Sequence, residues 1–133
     1  MGIFSKEEIK SVGVLGEEAA AKYLKRQGYK ILNRNWKNSF GYRLGELDII
    51  ARDGKEIVFV EVKTRAVRDI NLLNVLPEEQ ITQSKLHKLE RIASCYLCAE
   101  KIKDSPYRFD AVSVWLSGNL KNAKIKQIKN IYF

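Results

Sequence analysis

The sequence has few of the residues that tether, staple or export a small protein. Of its 133 residues two are cysteine, Cys95 and Cys98 in a C-x-x-C spacing, and one is histidine, His87. A structural zinc site wants four Cys or His ligands, so this set falls short. Both cysteines lie in a helical pattern rather than at a βαβ redox turn, which predicts reduced, partly packed thiols. A chain of this length buries roughly two-thirds of its unfolded surface and needs no staples. There is no apolar segment of the signal-peptide kind and no long apolar run. Neither secretion nor membrane spanning is supported, and a cytoplasmic location is expected. Acids are also in deficit, 16 Asp+Glu against 24 Lys+Arg, for a net charge of +8. That balance favours a polyanionic partner, although many basic proteins bind nothing acidic. No internal repeat or second domain is visible, so residues 1–133 are read as one domain.

What is present centres on residues 45–65. Two apolar, β-branched runs, Glu46-Leu47-Asp48-Ile49-Ile50-Ala51 and Glu56-Ile57-Val58-Phe59-Val60-Glu61-Val62-Lys63, flank Asp53-Gly54. Asp-Gly between such runs predicts a type I′ hairpin, with Asp48 opposite Phe59 and Glu46 opposite Glu61. Alternation then puts Glu46, Asp48, Phe59, Glu61 and Lys63 on one face, and Leu47, Ile49, Val58, Val60 and Val62 on the other. Two carboxylates about 5 Å apart repel by roughly 3 kcal/mol at an effective dielectric of about 20. A divalent cation with oxygen ligands removes that cost, and Mg²⁺ takes one or two carboxylates plus waters and phosphate. Lys63 would then hold or polarise a water beside a phosphate. The bland alternative is an exposed Glu61–Lys63 ion pair. Against it, residues 58–62 are apolar on both sides, as in a strand covered on both faces.

In chain order, Ser5-Lys6-Glu7-Glu8 has the form of a capping box. Val12, Leu15, Ala19, Tyr23 and Leu24 mark one face of a helix that Gly28 ends. Gly13 and Gly16 each cost about 1 kcal/mol relative to Ala, so the helix is expected to begin effectively near Gly13. A strand follows over 29–36, with Tyr29, Ile31 and Asn33 alternating against Lys30, Leu32 and Arg34. Between it and the hairpin, basic residues interleave with Trp36, Phe40 and Tyr42, a pattern that grips phosphates or packs on the sheet. Residues 66–76 carry little pattern. Pro77-Glu78-Glu79 opens a second helix, whose stripe runs from Ile81 through Leu89, Ile92, Ala93, Tyr96 and Leu97. Residues 107–116 form a strand, and the tail carries Lys121, Lys124, Lys126 and Lys129, read as a guard against edge pairing.

Asp48, twelve intervening residues and then Glu61-Val62-Lys63 resemble the PD-(D/E)xK motif of restriction-endonuclease-like nucleases, with Leu47 in place of the motif's loosely kept proline. Gly16-Glu17, Ala20, Tyr23-Leu24, Gly28-Tyr29, Asn35, Gly45-Glu46-Leu47-Asp48, residues 59–65 and Arg108-Phe109-Asp110 extend the likeness over nearly the whole chain. Together they resemble the YraN-type family, small bacterial proteins that are largely uncharacterised and predicted to be endonuclease-like. Archaeal Holliday-junction resolvases are similar in layout. The resemblance implies that Asp48 and Glu61 are metal ligands, that Lys63 serves the attacking water, that Glu17 completes the site and that Lys85 lies near it. The family's glycine in the region after Arg65 is missing here, which weakens substrate contacts inferred there.

The expected fold is α/β, a restriction-endonuclease-like mixed central β-sheet flanked by helices. The expected function is a Mg²⁺- or Mn²⁺-dependent endonuclease acting on DNA, with branched or structured sites as candidate substrates. Catalysis is assigned to Asp48, Glu61, Lys63 and Glu17, and the metal to Asp48, Glu61, the Val62 carbonyl and Glu46. Nucleic acid is assigned to Arg34, Lys37, Arg43, Arg65 and Lys85, and a homodimer is left open. The alternatives are a non-catalytic nucleic-acid-binding module on the same fold and a protein that uses its basic surface on an acidic protein partner.

Overall fold

The computed structural model of this chain describes residues 6–38, 45–68, 82–119 and 121–131. The elements are α1 (Lys6–Arg26), β1 (Lys30–Lys37), β2 (Glu46–Asp53), β3 (Glu56–Ala66), α2 (Gln83–Ala99), β4 (Tyr107–Leu116) and β5 (Ala123–Ile128). They make a five-stranded sheet in the order β1-β2-β3-β4-β5. β3 and β4 are parallel, and the remaining neighbours are antiparallel. The connection between the parallel pair carries α2, because parallel neighbours need a crossover.

The run of Ile57, Val58, Phe59 and Val60 is buried throughout, as a strand covered on both faces must be. On one face α1 sets Ala20, Ala21 and Leu24 against Ile49, Val58, Val60, Val112 and Val114. On the other, α2 sets Leu89, Ile92, Ala93 and Tyr96 against Ile50, Ile57, Phe59 and Phe109. The expected α/β architecture is observed: a mixed sheet with, among the described residues, one helix on each face.

Several details differ from the sequence reading. The hairpin pairs Asp53 with Glu56 and Ile50 with Phe59, so Gly54 and Lys55 form the loop. Gly54 has φ 61 and Lys55 is not left-handed, which excludes type I′ and fits a glycine leading a type II′ turn. The register is shifted by two residues, so each side chain of the paired stretch, Ile49–Asp53 against Glu56–Val60, keeps its expected face. α1 runs unbroken from Lys6, its two glycines outweighed by the buried stripe. α2 is capped by Thr82, whose hydroxyl accepts the Lys85 N–H at 3.2 Å. Ser5, the Phe40–Tyr42 aromatics with Arg43, and Pro77–Glu79 lie outside the described residues. Cys95 is half-buried and Cys98 exposed, both as free thiols.

Gly16 is where α1 crosses β3. A Cβ built there would sit 2.7 Å from Thr64 Cβ and collide with the rest of that side chain. Gly16→Ala should therefore lower stability by about 1–3 kcal/mol, despite the better helix propensity of alanine. Adding Thr64→Ala should return part of the loss in thermal denaturation. A Gly16→Ala variant as stable as wild type would refute the close approach.

Candidate metal and phosphate site

The β2–β3 ladder ends at Ile49↔Val60. One residue further on, Asp48 Oδ2 accepts the Val62 N–H at 2.8 Å, so its carboxylate replaces a main-chain acceptor where the strands part. Opposite it on β1, Asn35 has φ 53, a left-handed conformation that asparagine tolerates better than most residues. In an extended strand, residues i and i+2 share a face. Here Arg34 reaches Glu17 on α1, while Trp36 packs edge-on against Tyr96 of α2, 5.3 Å between ring centroids. The strand has turned over at Asn35. Leu47, paired with Trp36, turns with it and packs on the α2 side rather than on the expected valine face. A bulge between Ile31 and Asn33 likewise aims Asn33 at Tyr96, whose hydroxyl donates to Asn33 Oδ1 at 2.7 Å.

Acids from three elements converge on this fork. Burial, reinforced by the charges of Glu61, Glu17 and Glu46, pushes the Asp48 carboxyl up to about 7 against the pull of the Val62 N–H. Burial also raises Glu17; Arg34 and a hydrogen bond from Asn35 oppose the rise, and Glu46 adds to it. Glu17 Oε1 is buried without a hydrogen bond, and Arg34 Nε, at 3.9 Å, offers ionic attraction only. From α2, Lys85 Nζ lies 2.8 Å from Glu61 Oε1. Burial pulls Lys85 down, but hydrogen bonds to Glu61 and Lys63 outweigh it and hold this ammonium above the usual lysine value. The same bond to Lys85, then burial and the Lys85 charge, lower Lys63.

The structure thus gathers Glu17, Glu46, Asp48, Glu61, Lys63 and Lys85 at one place. Val62 contributes its N–H to Asp48. Arg34 and Lys37, read from sequence as phosphate contacts, stand beside Glu17 and Glu46, with Lys37 Nζ 3.7 Å from Glu46 Oε2. Arg65 is exposed further along β3. Strand alternation does not reveal the pivot at Asn35; an asparagine in mid-strand, with its tolerance of positive φ, is the one signal the sequence offers.

The donor set is all oxygen, repels itself and includes an orphaned buried carboxylate oxygen, which suits a hard divalent cation. Among the described residues no group of three or more Asp, Glu, His or Cys side chains is placed to hold a metal ion. Mg²⁺ does not require one, since waters and substrate phosphate commonly complete its shell.

A mixed five-stranded sheet with two helices is an α/β fold consistent with the restriction-endonuclease-like class, and the acidic fork lies where two of its central strands separate. The chain belongs to uncharacterised protein family UPF0102, whose model matches residues 16–114. A UPF0102 protein of Caldicellulosiruptor saccharolyticus is 42% identical over 123 residues, covering 92% of this chain and 98% of that one. One from Moorella thermoacetica is 38% identical over 120 residues, covering 90% and 93%. One from Symbiobacterium thermophilum is 45% identical over 103 residues, covering 77% and 80%.

Proposed function

We propose that this protein is a Mg²⁺-dependent endonuclease of the PD-(D/E)xK kind, acting in the cytoplasm on the phosphodiester backbone of DNA. The observation that carries the reading is the meeting at one fork of a half-buried, self-repelling acid set with two lysines, Lys63 and Lys85, the latter 2.8 Å from Glu61. Asp48 and Glu61 would hold the cation, with Glu46, Glu17 and the Val62 carbonyl as further oxygens. Bound there, Mg²⁺ would supply Lewis-acid polarisation of the phosphate and of the attacking water. The chain's own residues do the rest. Lys63 Nζ positions the attacking water, whose oxygen bonds to phosphorus as its proton passes to solvent. Lys85, held as the ammonium, meets charge building on the phosphate oxygens. The bond from phosphorus to the leaving oxygen breaks, and that oxygen takes up a proton from solvent.

The lack, among the described residues, of such a three-ligand metal group favours one other reading, a nucleic-acid-binding module without catalysis. Incubation with linear, flapped and four-way-junction DNA, with Mg²⁺ or Mn²⁺, separates the two. Cleavage of at least one substrate, abolished by chelation, is expected; inertness on all of them with both metals selects the binding module.

Metal binding itself can be read without a substrate. A cation that binds only the folded chain stabilises it by RT ln(1 + [L]/Kd), about 1.4 kcal/mol at ten times Kd. Mg²⁺ should therefore raise the melting temperature by several degrees. The rise should vanish in Asp48→Asn and persist in Glu18→Gln, a change at an exposed position of α1. Equal shifts in both variants would remove Asp48 from the metal site.

A further inference from the structure

Beyond the apolar contacts of α2, the same face of the sheet carries an ordered set of cations. Among the described residues the α2-side cluster reaches no further along the parallel strands than Phe59 and Phe109. Beyond them, Val62 packs with the α1 cluster and Thr64 meets Gly16 of α1, so Lys63 and Arg65 point to the α2 side. On β5, Ile125 packs with the α1 cluster and Gln127 bonds Asp110, so Lys124 and Lys126 also point to the α2 side. The registers join these residues into two rungs across the sheet. One is Lys63–Ser113–Lys126 and the other is Arg65–Trp115–Lys124. Each begins with a β3 cation, passes a neutral β4 residue and ends at an exposed β5 lysine.

We infer that this face is the track along which the DNA backbone runs to and from the acidic fork, with Lys124 and Lys126 as phosphate contacts remote from the chemistry. The inference rests on the nuclease reading for the position of the reacting phosphate. Neighbouring strands are about 4.8 Å apart and alternate residues about 6.6 Å, so the four cations form a grid of about 10 by 7 Å. Such a grid suits successive phosphates of one strand, and it starts at Lys63 of the fork itself. The face is the complement of a polyanion: among these six positions there is no acid. Edge protection alone would need lysines on β5 but would not require them to share a face with Lys63 and Arg65.

Fluorescence anisotropy with a labelled four-way junction and its linear duplex, in chelator so that nothing is cut, tests the track. Lys124→Glu/Lys126→Glu should weaken binding by at least about tenfold near 0.1 M salt. It should also lower the log–log salt slope by about two, at roughly 0.9 per phosphate contact. The control Lys22→Glu/Lys25→Glu makes the same charge change on exposed positions of α1 and should stay within about twofold of wild type. Equal losses in both pairs would mean that net charge alone drives binding, and would overturn the inference. So would wild-type binding that the β5 variant retains in full, or no binding to either DNA. A wild type that binds in this pattern yet never cuts would leave the track standing and remove the nuclease.

Discussion

Arg108→Ala is expected to cost this domain about 3–5 kcal/mol, because it strands a buried carboxylate. Asp110 is fully buried and takes Arg108 Nε at 3.0 Å and Nη2 at 3.2 Å on its two oxygens. The same guanidinium reaches Glu56 at 2.5 Å, Asp53 at 3.3 Å and the Tyr29 hydroxyl at 2.6 Å. Burial would lower the proton affinity of Arg108, but its bonds to Asp110 and Glu56 more than reverse that. The network clamps Tyr29, just before β1, to the hairpin end and β4. Gln127 Nε2 and the Asn130 N–H, both at 2.9 Å from Asp110, bring in the tail. Against a typical total of 5–15 kcal/mol, such a loss should lower the melting temperature by about 10–20 °C. Arg108→Met/Asp110→Asn should be more stable than Arg108→Ala. The buried charge is then gone, and the amide oxygen still accepts from Asn130. A loss below about 1 kcal/mol in Arg108→Ala would show that the network is dispensable.

Asp48→Asn should move activity and stability in opposite directions. If the proposed function holds, cleavage falls by about 10³-fold or more, since a charged ligand leaves the centre that stabilises the transition state. DNA binding should stay within a few-fold, because cations elsewhere hold the phosphates. Stability should rise at neutral pH. With a folded-state pKa near 7 against 3.8 for an ordinary aspartate, the folded chain binds the extra proton between those values. Stability from this group is therefore highest below about pH 4 and falls as pH rises toward 7, where the full penalty of up to about 4 kcal/mol applies. The asparagine amide oxygen can still accept the Val62 N–H, so the variant loses the penalty and keeps the bond. In metal-free buffer its melting temperature should exceed wild type at pH 8 and converge with it near pH 4. A wild-type advantage at pH 8, or cleavage surviving in Asp48→Asn, would contradict the site as described.

Together these variants separate residues that build the fold from residues that load the site. Arg108 and Asp110 belong to the same sequence resemblance as Asp48 and Glu61. In space they lie level with Val58 and Val60 on β3, Arg108 about 13 Å and Asp110 about 7 Å along the strands from Val62 of the fork, at about 3.3 Å per residue.

The chain's local pattern was enough to determine the two helices, the hairpin, the Tyr107–Leu116 strand and the grouping of Asp48, Glu61 and Lys63. Those features follow from periodicities of 3.6 and 2 and from where glycines interrupt them. The hairpin shows how robust this is: a pairing error of two residues leaves every face of the paired stretch unchanged, whereas an error of one would have moved Asp48 onto the valines. Tertiary structure alone decided the rest. The reversal at Asn35 cannot be read from alternation, because a single left-handed residue breaks the period that the reading assumes. It sends Arg34 to Glu17 and Leu47 to the α2 side. The pairing of Lys85 with Glu61 and Lys63 depends on how α2 lies across the sheet. The rungs that join Lys63 to Lys126 and Arg65 to Lys124 depend on strand registers spanning about sixty residues of chain. Registers between strands so far apart are set by the fit of two helices against the sheet, and no local stretch of sequence encodes that fit.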